Sequence, residues 1–231
     1  MKHYKHLFFD LDRTLWDFET NSDETLNDIL IKYDLASKGI TSLKMFKGVY
    51  SGINTMLWNL YLNGEIIKEK LNTQRFNLTL EAFGITDTLL ANSMADDYVE
   101  MSPLKTNLFP FAMEMLEYLH GQYKLHIITN GFEEVQFKKL ERTGMGRYFN
   151  QVITSEEAGA MKPNEQIFLF ALNKACALAS ESLMIGDEIE IDLLGAKSVG
   201  LDQMYVNHHG KIHKESFTFE VMSLSEIMEI L

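Results

Sequence analysis

Cysteine is almost absent from this sequence of 231 residues, in which Cys176 is the single one. A chain with one cysteine cannot form an internal disulfide framework, and such a composition suits a reducing compartment. Cys176 ends a helical pattern that runs on from Phe168. We therefore expect it to be a small buried core residue and not a reactive thiol.

Positive charge is also scarce, because 21 Lys and Arg residues face 33 Asp and Glu residues and leave a net charge of −12. Nucleic acids and anionic membranes are bound through basic patches, so neither is an expected partner of this chain. A small anionic substrate stays possible if a bound cation and a few placed donors meet it.

Long hydrophobic runs are missing as well. After the basic Lys2 and Lys5, only Leu7, Phe8 and Phe9 precede Asp10, which is too short for the apolar region of a signal peptide. No run approaches the length of a membrane span, so we expect a cytoplasmic protein. The composition is otherwise ordinary for a globular protein, with 46% hydrophobic and 23% charged residues.

The region 18–104 is predicted to be helical. It carries amphipathic patterns with little β-patterning, and glycines fall between them as turn or C-cap residues. The predicted helices are 24–33, 43–62, 68–83 and 89–98.

From residue 111 onward, predicted helices and strands alternate. The helices are 111–119, 133–142, 164–178 and 191–199, and the strands are 124–128, 151–154, 183–185 and 203–206. This alternation implies βαβ units and a parallel sheet. Residues 217–221 alternate like an edge strand, and 224–231 have the pattern of a terminal helix. The sequence thus predicts an α/β fold in which the helical region is inserted after the first strand.

Two acids follow a short apolar strand near the start of the chain. Leu7, Phe8 and Phe9 lead into Asp10, and Asp12 follows two residues later. Ligands of open α/β sheets bind beyond the carboxyl ends of the strands, so both acids are candidates for a nucleophile and a metal site. A strand followed by a polar turn, with Asp12 as a helix cap, is the alternative.

Polar residues also follow two later strands. The strand 124–128 is followed by Thr129, Asn130 and Gly131. A hydroxyl and backbone N–H groups at this place can bind a phosphoryl group. Asp187 lies just beyond the strand 183–185, and Asp192 follows five residues later. A pair of acids at this place suits Mg²⁺, which takes few carboxylates. Helix capping is the alternative for both groups.

A Lys-Pro pair lies between these two strand ends. Pro163 fits the first turn of the helix 164–178, which leaves Lys162 in the preceding loop as a point charge able to reach the same crevice. Taken alone, the pair carries no functional information.

Together, the patterns D-x-D-x-T, T-N-G, K-P and G-D-x-x-x-x-D resemble the four motifs of the haloacid dehalogenase-like (HAD) hydrolase superfamily. The resemblance covers residues 7–206 and implies a Rossmann-like, three-layer α/β/α core of residues 1–15 and 105–231. The insert 16–104 is similar to the α-helical cap domain of that superfamily. Gly131-Phe132 and the chain length are similar to the branch that contains pyrimidine 5′-nucleotidases.

The resemblance implies a role for each motif residue. Asp10 would be the nucleophile that forms an aspartyl-phosphate, and Asp12 would protonate the leaving oxygen and then activate water. The other implied roles are phosphoryl binding by Thr129, Asn130 and Gly131, charge neutralisation by Lys162, Mg²⁺ binding by Asp10, the Asp12 backbone carbonyl and Asp187, and support by Asp192 and Thr14.

The resemblance therefore implies a Mg²⁺-dependent phosphatase of small phosphate monoesters, with nucleoside 5′-monophosphates favoured. Cleavage of a carbon–halogen bond releases a group that needs no proton, so a dehalogenase has no use for Asp12. A phosphatase of sugar phosphates or phosphoglycolate and a phosphomutase are the enzymatic alternatives. A phosphate-binding regulatory protein and a phosphoacceptor signalling domain are the alternatives without turnover.

Specificity is the part of the function that the sequence describes least. Position 13 is Arg where many relatives carry a small or acidic residue, so Arg13 is a candidate contact to the leaving group or to an acid of the cap. A solvated side chain without a functional role is the alternative. Trp58 and Arg75 are candidates in the cap, although core packing of an amphipathic helix also accounts for both. The expected partner is a small phosphorylated metabolite, and the expected state is a monomer or homodimer.

Overall fold

A computed structural model describes residues 4–231 of the chain. Two compact units divide it: the segment up to Phe18 together with Thr106–Leu231 forms one, and Glu19–Lys105 forms the other. We refer to them as the core unit and the helical unit. Lys2, used above against a signal peptide, and residues 1–3 of the predicted core segment lie outside the described residues. The predicted domain boundaries after residues 15 and 104 stay a prediction.

The core unit is built on a six-stranded sheet in which all strands are parallel. The strands are β1 (His6–Phe9), β2 (Lys124–Thr129), β3 (Phe149–Thr154), β4 (Ser182–Gly186), β5 (Asp202–Val206) and β6 (Phe219–Val221). Their order is β3-β2-β1-β4-β5-β6. The strands β1, β2 and β4 are apolar runs because both of their faces are covered by helices.

The sheet lies between two layers of helices. These are α5 (Ala112–His120), α6 (Glu133–Thr143), α7 (Ser155–Ala158), α8 (Glu165–Lys174), α9 (Leu194–Ser198) and α10 (Leu224–Ile230), numbered after the four helices of the helical unit. Successive side chains of a strand point to opposite faces. Accordingly Leu7 and Phe9 pack with α5 and α10, whereas Phe8 packs with α8 on the other face. The predicted three-layer α/β/α architecture is confirmed.

The helical unit contains four helices around a core of its own. They are α1 (Phe18–Lys32, which begins at the last residue of the core unit), α2 (Leu43–Leu62), α3 (Lys68–Ala82) and α4 (Thr88–Met101). Side chains of Ser42 and Asp87 cap α2 and α4 by accepting hydrogen bonds from backbone N–H groups. None of the helices described in residues 4–231 has the length and apolar character needed to cross a bilayer.

Three local predictions were wrong. Helix α1 begins at Phe18 and not at residue 24. Its first turns were missed because Asn21 and Ser22 are polar, although both are buried. Cys176 is exposed: α8 ends at Lys174, and Cys176 follows in a left-handed conformation (φ 50°) that takes it out of the buried stripe. Pro163 lies outside α8, whose N-cap is Asn164.

The position of β1 in the sheet determines where a site can form. β1 pairs with β2 on one side and with β4 on the other. The strands β2 and β3 are therefore added on one side of β1, and β4, β5 and β6 on the opposite side. Such a switch of direction opens a crevice beyond the carboxyl ends of the strands involved. Residues that follow β1, β2 and β4 therefore converge there.

Two buried histidines lie side by side on the central strands. His6 on β1 and His126 on β2 approach to 3.1 Å between Nδ1 and Nε2, and Phe8 stacks on His126. Burial, with smaller contributions from His6 and Lys124, lowers the pKa of His126 from 6.5 to about 3. The ring is therefore neutral in the folded protein.

Acid is expected to destabilise the fold through His126. The unfolded chain takes up a proton near pH 6.5 that folded His126 accepts only near pH 3. The stability contributed by the neutral ring is complete above pH 6.5 and falls as the pH decreases, by about 1.4 kcal/mol per pH unit. Urea unfolding at pH 7.5 and 5.0 should show a loss in wild type that is about 2 kcal/mol greater than in His126→Gln.

The exposed His209 provides the matched control for this measurement. His209→Gln removes an imidazole from a solvent-exposed position, so its loss of stability between the two pH values should equal that of wild type. Equal pH dependence in His126→Gln and wild type would show that the buried pair does not carry the acid sensitivity.

Candidate active site

Asp10 lies at the carboxyl end of β1. Its backbone N–H continues the ladder to β4 by donating to the Ile185 carbonyl at 2.9 Å, and the residue is buried. Thr14 Oγ1 lies 3.2 Å from Asp10 Oδ2 and 3.1 Å from Asp187 Oδ1. One hydroxyl therefore links the acids that follow β1 and β4.

Lys162 is enclosed between two carboxylates. Its Nζ lies 2.6 Å from Asp10 Oδ1, 2.6 Å from Asp192 Oδ1 and 2.8 Å from the Ile128 carbonyl oxygen. These acceptors use all three N–H donors of the ammonium group. Burial alone would lower the pKa of Lys162, but the charges of Asp10 and Asp192 outweigh it and raise the pKa. Lys162 is thus a fixed positive charge beside the Asp10 carboxylate.

Asn130 fixes the loop that carries this lysine. Its Nδ2 donates to the Lys162 carbonyl at 2.9 Å and its Oδ1 accepts from the Lys162 N–H at 2.8 Å. The side-chain amide is therefore engaged with the backbone of Lys162 and holds the loop against the end of β2.

The hydroxyl of Thr129 is oriented by two donors. Thr129 Oγ1 accepts from the Gly131 N–H at 3.0 Å and from Gln136 Nε2 at 2.7 Å. Both lone pairs of the hydroxyl oxygen are thereby occupied. The Thr129 hydrogen remains as a donor for another oxygen.

Asp12 points to a different set of partners from Asp10. Lys139 Nζ lies 2.6 Å from Asp12 Oδ1, and Gln136 Nε2 lies 2.8 Å from Asp12 Oδ2. Gln136 and Lys139 both lie on α6, three residues apart, and both are buried. Neither residue was predicted from the sequence, since a glutamine and a lysine in an amphipathic helix are typical of its solvated face.

Three carboxylates form a cluster around the carboxyl ends of β1 and β4. Oxygen atoms of Asp10, Asp187 and Asp192 lie within 4.8 Å of one another, and all three residues are buried. Burial raises the pKa of Asp10, an effect that Lys162 opposes and the charge of Asp192 reinforces. Burial and then the charges of Asp10 and Asp192 raise the pKa of Asp187. One lysine does not balance three acids, so the donor set fits a hard divalent cation.

The candidate specificity residues have separate surroundings. Arg13 adopts a left-handed backbone (φ 67°) in the core unit, and its guanidinium carbon lies 4.2 Å above the Phe18 ring. Trp58 is half-buried on α2. Arg75 is buried on α3, where it lies 4.5 Å above the Tyr98 ring. The contacts of Arg75 are those of a side chain packed within the helical unit.

Comparison with known proteins places this arrangement in a family. The family model of haloacid dehalogenase-like hydrolases matches residues 4–200. The chain belongs to this family. Pyrimidine 5′-nucleotidase YjjG of Escherichia coli (strain K12) is 34% identical over 97% of this chain and 96% of its own length.

Two further relatives of this HAD-like chain match along its length. Pyrimidine 5′-nucleotidase PynA of Streptococcus pneumoniae is 29% identical over 99% of this chain and 95% of its own. The HAD-hydrolase YfnB of Bacillus subtilis, whose crystal structure is bound to magnesium, has a TM-score of 0.87 and 26% identity over 99% of both chains. The predicted family, fold and enzyme class, a phosphoric monoester hydrolase, are confirmed.

Proposed function

We propose that this HAD-like hydrolase is a Mg²⁺-dependent phosphatase of small phosphate monoesters, with nucleoside 5′-monophosphates as preferred substrates. The observation that carries the proposal is the setting of Asp10. A carboxylate at a strand end, 2.6 Å from a buried lysine and two residues before a second acid, is suited to attack phosphorus while the second acid handles protons.

In the first step, a carboxylate oxygen of Asp10 forms a bond to phosphorus and the bond from phosphorus to the leaving oxygen breaks. Asp12, protonated, gives its proton to that oxygen, and the alcohol leaves. The products are an aspartyl-phosphate at Asp10 and an Asp12 carboxylate. The Thr129 hydroxyl and the backbone N–H of Asn130 bind phosphoryl oxygens, and the positive charge of Lys162 stabilises the charge that they carry.

In the second step, the Asp12 carboxylate takes a proton from water while the water oxygen bonds to phosphorus. The bond from phosphorus to the Asp10 oxygen breaks, which restores the Asp10 carboxylate and releases inorganic phosphate. Two lower barriers replace one high barrier, which is the advantage of the covalent route.

Asp10, Asp187 and the backbone carbonyl of Asp12 are the groups that would hold Mg²⁺, which when bound supplies positive charge to the phosphoryl oxygens. The excess negative charge of the buried carboxylate cluster supports this assignment. Asp192 Oδ1 pairs with the Lys162 ammonium, and its Oδ2 accepts from the Glu188 N–H. We therefore assign Asp192 to the support of Lys162.

The preference for nucleotides rests on two relatives, YjjG and PynA, which carry the name pyrimidine 5′-nucleotidase. The test is release of inorganic phosphate from pyrimidine and purine nucleoside monophosphates, sugar phosphates and phosphoglycolate. Pyrimidine monophosphates should be hydrolysed fastest. Faster release from sugar phosphates or phosphoglycolate would retain the chemistry and refute the nucleotide preference. No release from any of them would refute the phosphatase and favour a mutase or a binding protein.

Removal of Mg²⁺ with a chelator is expected to slow phosphate release at least about 100-fold, since charge stabilisation by a metal ion is worth several kcal/mol. Excess Mg²⁺ added afterwards should restore the rate, which controls for damage by the chelator. Full activity in the chelator would remove Asp187 from its assigned role.

A further inference from the structure

We propose that Lys139 and Gln136 are positioning residues of the reaction, which hold the Asp12 carboxylate and, through Gln136, the Thr129 hydroxyl in one fixed arrangement. The inference rests on the roles proposed above for Asp12 and Thr129. It assigns a function to two side chains of α6 that none of the four motifs contains.

Lys139 is a buried lysine whose ammonium has two partners. It is 4% exposed, and its ammonium lies 4.1 Å from the centre of the Trp16 ring and 2.6 Å from Asp12 Oδ1. Burial of an ammonium is costly unless a counter-charge is supplied. The ionised form of Asp12 supplies it, and the protonated form still accepts from Lys139 through Oδ1. The Lys139 side chain therefore fixes the place of one Asp12 oxygen in both forms.

Gln136 joins Asp12 to the proposed phosphate site. Its Nε2 donates to Asp12 Oδ2 at 2.8 Å and to Thr129 Oγ1 at 2.7 Å, which uses both amide hydrogens. The opposite amide orientation would set an oxygen against a carboxylate, so these contacts determine which atom is nitrogen. Within residues 4–231 the buried Oε1 of Gln136 has no hydrogen-bond partner. The two hydrogen bonds of Nε2 offset the cost of burying this oxygen.

The glycine at position 131 makes room for this side chain. A Cβ at Gly131 would overlap the amide of Gln136. The T-N-G segment thus contributes a hydroxyl, the backbone N–H groups and the space in which Gln136 reaches both Thr129 and Asp12.

The arrangement couples two parts of the chemistry. Both Asp12 oxygens are held, one by each residue of α6, and the same amide that holds Asp12 also directs the Thr129 hydrogen away from Gln136. Displacement of a reacting group by about 1 Å can cost a factor of 10² in rate. Loss of the anchors should therefore slow the chemical step while the fold is retained.

The test is steady-state kinetics of phosphate release at saturating Mg²⁺ with the best wild-type substrate. Lys139→Met should lower kcat by about 10- to 100-fold and leave KM nearly unchanged, because Asp12 acts only in the chemical step. Gln136→Met should lower kcat and also raise KM, because it releases Thr129. Lys138→Met is the matched control, since Lys138 is the exposed neighbour on the same helix, and it should match wild type.

A second measurement separates positioning from a general structural effect. In an Asp12→Asn background, Lys139→Met should cause no further loss of kcat, because a residue that acts through Asp12 has nothing left to position. Lys139→Gln, which keeps a donor, serves in the same comparison if Lys139→Met does not fold.

Wild-type kcat in Lys139→Met, or the same proportional loss with and without Asp12, would overturn the inference alone. A wild-type protein that releases no phosphate from any monoester would overturn the proposed function, and the inference with it.

Discussion

Asp10→Asn is expected to lose phosphate release by a factor on the order of 10⁴ or more, because loss of a nucleophile removes the covalent route. The amide oxygen of asparagine can still accept from Lys162, whose Nζ lies 2.6 Å from Asp10 Oδ1. The side chain also keeps its shape between Thr14 and Lys162. Activity should therefore fall without loss of the fold, and phosphate release together with urea unfolding measures both quantities.

Asp202→Asn is the matched control for this experiment. Asp202 begins β5 at the opposite end of the strands and accepts a hydrogen bond from the Tyr4 hydroxyl at 2.6 Å. The Asp202→Asn variant should retain the wild-type kcat. Substantial phosphate release by Asp10→Asn, with Asp202→Asn also active, would show that Asp10 is not the nucleophile.

Lys162→Met is expected to destabilise the protein by about 3–5 kcal/mol, the cost of leaving a buried charge without its partner. Asp10 and Asp192 both lie 2.6 Å from the Lys162 ammonium. With the lysine removed, their carboxylates would face each other and Asp187 without a protein cation. Urea unfolding at pH 7.5 in a chelator gives the difference in unfolding free energy from wild type without a contribution from bound metal.

Lys174→Met provides the comparison, because Lys174 also makes a close ion pair, at 2.5 Å to Glu157, but both side chains are partly exposed. Exposed pairs contribute about 0–1 kcal/mol, so this variant should lose little stability. If Lys162→Met unfolds during purification, Lys162→Met with Asp192→Asn removes one of the uncompensated charges and should recover part of the loss. Equal stability of Lys162→Met and Lys174→Met would contradict the electrostatic account of the core unit.

The strands and their polar ends could be predicted from sequence because the signal is local. A strand buried on both faces is a short apolar run, and the residue that follows it lies at the carboxyl edge of the sheet. Asp10, Thr129 and Asp187 could be located in this way, and the structure brings Asp10 and Asp187 into one cluster. Their functional roles stay predictions.

Contacts between distant side chains could not be predicted in this way. The pair formed by Asp12 and Lys139 joins residues 127 positions apart, and nothing near Lys139 distinguishes it from the exposed Lys138. The same limit explains Cys176, because the pattern of apolar residues continues past the point at which the left-handed backbone ends α8. The first turns of α1 could not be predicted for a related reason. Their buried residues Asn21 and Ser22 are polar, and polarity usually indicates exposure.

The place of β1 at the centre of the sheet has a consequence for the order of folding. β1 precedes the other five strands in sequence, yet His6 aligns with Lys124 on β2 and with Ser182 on β4, so a long segment separates it from both partners. Closing so long a loop costs chain entropy. The helical unit between them is built from sequence-local helices and can fold first.

The two ends of this insertion are tied within the core unit, where the Asp17 N–H donates to the Asn107 carbonyl and the Phe109 N–H to the Leu15 carbonyl. An insertion that folds early therefore reduces the entropy that β1 loses when it pairs.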